Sequence, residues 1–163
     1  MRVVLCSAFR RRERFERRST PSRAFTATSS TENFVDSYRN LTRKVIGGLG
    51  WATTYCAHAR FFAKVDDDIA VNALKLVERL KTKISEKLLV CSLRYAAKKA
   101  HRGKKVSKWV VTREEYPNDN FPVNCSGWAY AMTPDVVVQL LRASLSIRFV
   151  WLEDVYVTGR QSL

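Results

Sequence analysis

The sequence predicts a single α/β domain. Three observations carry that expectation. Short apolar runs bounded by turn residues alternate with stretches of helical periodicity. A length of 163 residues suffices for one core rather than two. The apolar run from Phe61 to Val65 ends abruptly in three consecutive aspartates, Asp66, Asp67 and Asp68, as a buried strand does where it stops.

Taken in chain order, residues 1–31 hold eight Arg against two Glu and are rich in Ser and Thr. Residues 1–8 are too short an apolar stretch for a signal peptide, and residues 9–31 superficially share the composition of a transit peptide. Their few large apolar residues favour a disordered tail over 1–31. The ordered domain is expected over 32–163. It opens with a helix capped by Asp36 or Ser37, with Tyr38, Leu41, Val45, Ile46 and Leu49 near helical spacing and a stop at Gly47, Gly48 and Gly50. A buried strand follows at 61–65. Asn72 is placed to cap a second helix with Ala73, Leu76, Val77, Leu80 and Ile84 on one face.

Residues 88–93 read as another buried strand, and 96–108, basic and containing Gly103, as a solvated loop. A short strand is expected at 109–111, turns over 116–122, and a strand over 127–132. Thr133-Pro134-Asp135 is a strong helix start: a capping Thr, Pro at the first helical position, Asp in the first turn. Val136, Val137, Leu140 and Leu141 are its inward face. A last apolar segment, 147–152, runs into a second acidic pair, Glu153-Asp154.

The net charge of +14 points to anionic partners. Thirteen Lys and Arg stand against two Glu between Lys75 and Arg113, and the basic loop 98–108 within that stretch lacks interleaved aromatics and the pattern of a nucleic-acid module. No apolar run approaches the roughly 18 residues of a membrane-spanning helix. Cys6, Cys56, Cys91 and Cys125 lack the paired spacing of a zinc site.

Three adjacent carboxylates repel unless a cation compensates them. In an extended segment Asp66 and Asp68 face one side, a donor set for a hard divalent cation that also holds phosphates. A solvated acidic turn is the alternative. With Glu153-Asp154 at the end of another apolar segment, one acidic site can hold a metal and the other can take a proton. The sequence does not show that the two meet.

The ordered motifs narrow the reading. They are DSYRNLT at 36–42 followed by Lys44, CAHARFFAKVDDDIAVN at 56–72, KWVVTREEYPNDNFPVNCSGWAYAMTPD at 108–135 and LEDVYV at 152–157. In order and spacing the chain resembles the β-1,3-galactosyltransferase family (glycosyltransferase family 31), which includes β-1,3-N-acetylglucosaminyltransferases. The resemblance covers residues 32–157.

It implies a GT-A-like α/β fold and an inverting, Mn²⁺- or Mg²⁺-dependent hexosyl transfer in protein glycosylation. The donor would be UDP-galactose or UDP-N-acetylglucosamine, and the acceptor a sugar hydroxyl of a glycoprotein or glycolipid, in β-1,3 linkage. By the same resemblance Asp68, with Asp66, would hold the metal. Asp66 and Asp67 would stand near the donor, with Lys44 and Gly127 also on the substrates. Asp154 would be the general base, supported by Glu153.

Where the family continues C-S-G-x-G, this chain has Trp128-Ala129. Trp109, Trp128 and Trp151 are either sugar platforms or core residues. Cys56 and Cys125 are candidates for a disulfide in the secretory lumen. Set against the family, the domain is expected to be truncated at both ends, with the anchor that would hold it to the lumenal side of the Golgi membrane absent. An inactive truncated member is therefore the alternative reading. A basic nucleic-acid-binding protein is a more remote one, and no nucleic-acid partner is expected.

Overall fold

The computed structural model describes residues 3–7, 35, 37–83, 86–94, 100, 102 and 109–159. The strands are β1 (Val3–Ser7), β2 (Phe61–Val65), β3 (Leu89–Arg94) and β4 (Asn124–Met132), and the helices α1 (Leu41–Tyr55), α2 (Ala73–Lys81) and α3 (Pro134–Ser144). A 3₁₀ turn, Tyr38–Asn40, leads into α1, and a π-helical turn, Val155–Gly159, follows the second acidic pair.

The four strands form one mixed sheet in the order β1-β2-β4-β3. β1 runs parallel to β2, and β4 lies antiparallel between β2 and β3. The period-two alternation of a strand splits the sheet into two apolar faces. Phe62, Tyr130 and Met132 join Val45, Leu49 and Ala52 of α1 and Val137 and Leu140 of α3 in the larger core. Phe61, Ala63 and Ala131 pack on Leu80 and Leu76 of α2 in a smaller one. The result is a helix–sheet–helix sandwich. It explains why all five residues of β2 are buried: both faces are covered.

Several local expectations hold for the stated reasons. The Asn72 side chain caps α2 by accepting from the Lys75 N–H at 3.0 Å. α3 starts at Pro134 after Thr133. The Thr133 hydroxyl, however, makes no side-chain cap bond; it accepts from the Leu88 N–H at 3.1 Å and ties the helix start to the entry of β3.

Others are corrected. The glycines at 47, 48 and 50 do not stop α1, which runs on to Tyr55. A helical glycine costs about 1 kcal/mol, whereas burying Val45 and Leu49 returns about 2 kcal/mol each, and Ala52 and the partly buried Trp51 add to it. Of the proposed caps, Ser37 makes no side-chain cap bond, and Asp36 lies outside the described residues. The same holds for Ile84, beyond the end of α2. Residues 109–111 form no strand; Val111 is drawn into the core instead.

The basic stretch 96–108 is not wholly a solvated loop. Ala100 is buried, and Arg102 donates to the carbonyls of Val111, Thr112, Tyr116 and Asn118, fastening the 109–122 turns. The tail 1–31 is not wholly without structure either, since Val3–Ser7 form the edge strand beside β2. The disulfide joins Cys91 to Cys125, leaving Cys56 as a free thiol. Cys91 and Cys125 stand on neighbouring strands with Cα atoms 5.7 Å apart, within the range a bridge requires.

Candidate functional site

The site lies at one end of the sheet and is made by an irregularity. From Met132 to Tyr130, β4 pairs regularly with both neighbours. Then Cys91 pairs with Tyr130 while Leu93 pairs with Cys125, so residues 126–129 bow away from β3. The Cys91–Cys125 bridge closes the two sides of this bulge. The bowed stretch carries Ser126 and Gly127. Because β4 is antiparallel, these residues sit at the same end as Asp66 after β2 and Arg94 at the end of β3.

Lys64 is the centre of the arrangement. It faces Tyr130 directly across the β2–β4 ladder, its ammonium 5.8 Å from the ring centroid. Its side chain is only 7% exposed, a cation on an otherwise apolar strand, and such a charge must be paired. The ammonium donates to Asp66 Oδ1 at 2.5 Å and to the Gly127 carbonyl, and stands 3.4 Å from Glu153 Oε2. The Tyr130 hydroxyl donates to the other oxygen of Glu153.

Burial pushes the Glu153 carboxyl above the ordinary glutamate range, against the pull of Lys64 and Tyr130. Burial alone would lower Lys64, but the charges and hydrogen bonds of Glu153 and Asp66 together outweigh it. Its ammonium is held above the usual 10.5. Lys64 has two carboxylates for one cation, so it remains charged.

Asp154 is fixed from three sides. Its Oδ1 accepts from the Val155 N–H at 2.9 Å, its Oδ2 pairs with Arg94 Nη1 at 3.2 Å, and its main-chain carbonyl accepts from the Thr158 hydroxyl at 2.7 Å. Arg94 also donates through Nε to Ser126 Oγ at 3.0 Å. The Thr158 hydroxyl in turn accepts from the Cys125 N–H at 2.8 Å, so the π-helical turn is stitched to β4. Gly127 leaves room here: a Cβ on it would lie 3.2 Å from Asp154 Cβ and 3.4 Å from Glu153 Oε2, tighter than ordinary contact.

The contacts thus unite Asp66, Gly127, Glu153 and Asp154, and the two acidic sites meet through one ammonium. Asp67 and Asp68 follow on an exposed turn in which the Ile69 N–H donates to the Asp66 carbonyl at 3.2 Å. That turn overrides the extended geometry expected of 66–68. Asp66 turns to Lys64 rather than standing level with Asp68. Lys44, on α1, is half-buried.

Among the described residues no cluster of three or more His, Cys, Asp or Glu forms a ready-made metal cage. A hard cation that brings its own phosphates needs only one or two carboxylates, and the exposed oxygens of the 67–68 turn fit that requirement. Of the three tryptophans weighed as sugar platforms, Trp151 is core, under Arg39 and against Tyr38; Trp109 donates to the Tyr38 hydroxyl at 2.9 Å; Trp128, beside Gly127, is 46% exposed.

Sequence reasoning missed Lys64, Tyr130 and Arg94. For Lys64 a signal existed, a lone cation inside an apolar strand. Arg94 gave none, because the bulge that brings it to Ser126 has no local signature.

An exposed carboxylate turn next to a fixed, partly buried carboxylate pair can place a phosphate-bearing donor and deprotonate a second substrate beside it. The motifs agree with the comparisons: the chain belongs to the galactosyltransferase family, whose model, Galactosyltransferase, matches residues 31–162. It is 39% identical over 130 residues to β-1,3-galactosyltransferase 1 of Homo sapiens and of Mus musculus, an alignment covering 77% of this chain and 39% of those proteins. It is 35% identical over 127 residues to β-1,3-galactosyltransferase 2 of Homo sapiens, covering 77% of this chain and 30% of that protein. The chain therefore spans less than half the length of the curated relatives it matches.

Proposed function

We propose that this chain carries the metal turn and the catalytic base of an inverting hexosyltransferase. It would transfer galactose, or N-acetylglucosamine, from a UDP-sugar to a sugar hydroxyl in β-1,3 linkage. The observation that carries the reading is the convergence on Lys64 of Asp66 and of Glu153, the sequence neighbour of Asp154. The relatives' names support galactose as the donated sugar. Helices on both sheet faces, with the acidic turn at the carboxyl end of β2, support a GT-A-like fold, since open α/β sheets bind ligands at that end.

Asp68, with Asp66 and Asp67 beside it, would hold Mn²⁺ or Mg²⁺ against the donor's diphosphate, and Lys44 and Gly127 would bear on the substrates. The cation would offset the charge that develops on the leaving UDP. Asp154 takes the proton of the acceptor hydroxyl while that oxygen attacks the anomeric carbon from the face opposite UDP. The new carbon–oxygen bond forms as the bond to the diphosphate breaks, which inverts the centre. Glu153, held by Lys64 and Tyr130, keeps the base in place.

A disulfide persists in an oxidising compartment, and the Cys91–Cys125 bridge supports work on glycoproteins or glycolipids in the Golgi lumen. Membrane attachment there would need an anchor, and among the described residues no helix is long and apolar enough to cross a membrane.

The test is to incubate the purified chain with Mn²⁺, UDP-galactose or UDP-N-acetylglucosamine, and a panel of sugar acceptors, and to determine the linkage of any product. A β-1,3 product lost on adding a chelator is expected. Retained anomeric configuration would overturn the reading, and no transfer from either donor would favour the alternative of an inactive truncated member.

A further inference from the structure

We infer that Lys64 is the positioning residue that sets the distance between the donor turn and the catalytic base. The inference rests on the function proposed above and goes beyond it. An ammonium has three N–H donors in a tetrahedral array. Here they meet three acceptor groups from three segments far apart in sequence: Asp66 at the end of β2, the Gly127 carbonyl in the β4 bulge, and Glu153 before the π-helical turn. Nothing is spare in that set. The Tyr130 hydroxyl closes the remaining Glu153 oxygen.

Asp66 opens the turn that bears the other two aspartates, and Glu153 is bonded in sequence to Asp154. The ammonium therefore spans from donor side to acceptor side through a single nitrogen. Lys64 touches neither reactant in this scheme. It acts by holding Asp66, which opens the donor turn, and Glu153, which is bonded in sequence to the base Asp154. A planar guanidinium on the same strand would present its N–H groups as a rigid in-plane fork instead of a tetrahedral array, changing the spacing of these three acceptors. Rate in such a transfer depends on placement, and a displacement of about 1 Å costs about 100-fold.

The experiment is a double-mutant cycle between Lys64→Arg and Asp154→Asn in the full chain. It is read as kcat and KM with UDP-galactose, Mn²⁺ and the acceptor that supports turnover, with a thermal melt of each variant. Lys64→Arg is expected to fold and to lower kcat about 100-fold. Its KM for UDP-galactose should move only a few-fold, and in the Asp154→Asn background the same substitution should cost almost nothing. A purely structural lysine would instead lower the melting temperature, leave kcat per folded molecule intact, and act equally in both backgrounds.

Should Lys64→Arg not fold, the cycle is run with the neutral pair Lys64→Met, Glu153→Gln. Full kcat in that pair overturns the inference. Failure of both to fold overturns it too, since the residue then serves the fold. Full turnover of Asp154→Asn alone refutes the catalytic reading and the inference with it. A normal Asp154→Asn loss beside an unchanged Lys64→Arg kcat refutes the positioning role only.

Discussion

Replacing Gly127 with Ala tests the packing behind the candidate base. The added Cβ would stand 3.2 Å from Asp154 Cβ, 3.4 Å from Glu153 Oε2 and 3.6 Å from Asp154 Cγ. Carbon atoms rest at about 3.5–4.0 Å, so something must yield by a few tenths of an ångström. Asp154 has little room to retreat. Its carboxylate is held by Val155 and Arg94, and its carbonyl by Thr158.

Overpacking of this size costs about 1–2 kcal/mol, which lowers the melting temperature of a domain this long by about 2–8 °C. A base displaced by a few tenths of an ångström should lose about tenfold in kcat, scaling from about 100-fold for a full ångström. The assay pairs a circular-dichroism melt with initial rates at saturating UDP-galactose and acceptor. A variant that melts and turns over like the parent would show that the approach is not tight. A lowered melt with unchanged kcat would remove Asp154 from the proton transfer.

Four further outcomes are expected. Asp154→Asn should lower kcat by about two to four orders of magnitude while calorimetric affinity for UDP-galactose stays near the parent's; collapse of donor binding would make Asp154 structural. Asp68→Asn should abolish Mn²⁺-dependent transfer without altering the melt, because an amide is a weaker ligand for a hard cation; undiminished transfer would remove the metal assignment. Cys125→Ser opens a bridge between residues 34 apart in sequence and should cost about 4 kcal/mol in a denaturant titration; an unchanged midpoint would contradict the pairing.

The fourth concerns pH. Because the folded Glu153 carboxyl sits above its ordinary 4.5, the native state holds its proton more tightly than the unfolded chain. The Glu153 contribution to stability must therefore grow as pH falls from neutral towards 4.5 and shrink as pH rises through its folded value. The stability of the parent relative to Glu153→Gln should rise over that interval, measured by urea unfolding at each pH. A difference that falls would mean the carboxyl is not raised.

The legible parts of this molecule were local. The run Phe61–Val65 between polar residues, the Asn72 cap and the Thr133-Pro134-Asp135 start each carry their cause within a few residues; the first two form as expected, and α3 starts at Pro134 as expected although the Thr133 side chain does not cap it. What failed depended on distant partners. The glycines of α1 stay helical because a core formed with α3 and β4 overrides their preference. Val111 leaves the strand expected of it for the same core. The disulfide pairing follows from strand adjacency, which the cysteine spacing does not encode. The acidic positions at 66–68 and 153–154 were visible, yet their union needed a lysine and a bulge that only the folded sheet brings together.

The two cores have a consequence for motion. α2 has nine residues and fully buries only Leu80, whereas the Glu153-Asp154 side is enclosed by Val150, Trp151, Leu152, Val155, Tyr156 and Val157. Local opening follows the density of buried apolar contacts. Amide hydrogens of α2 and of the turn carrying Asp67 and Asp68 should therefore exchange with solvent well before those of β4 and the π-helical turn. The site has a stiff wall, which bears the proposed base, and a yielding wall, which bears the proposed metal turn. A donor bound with its cation would act on the yielding wall, so the conformational cost of binding falls on the half that is cheapest to order.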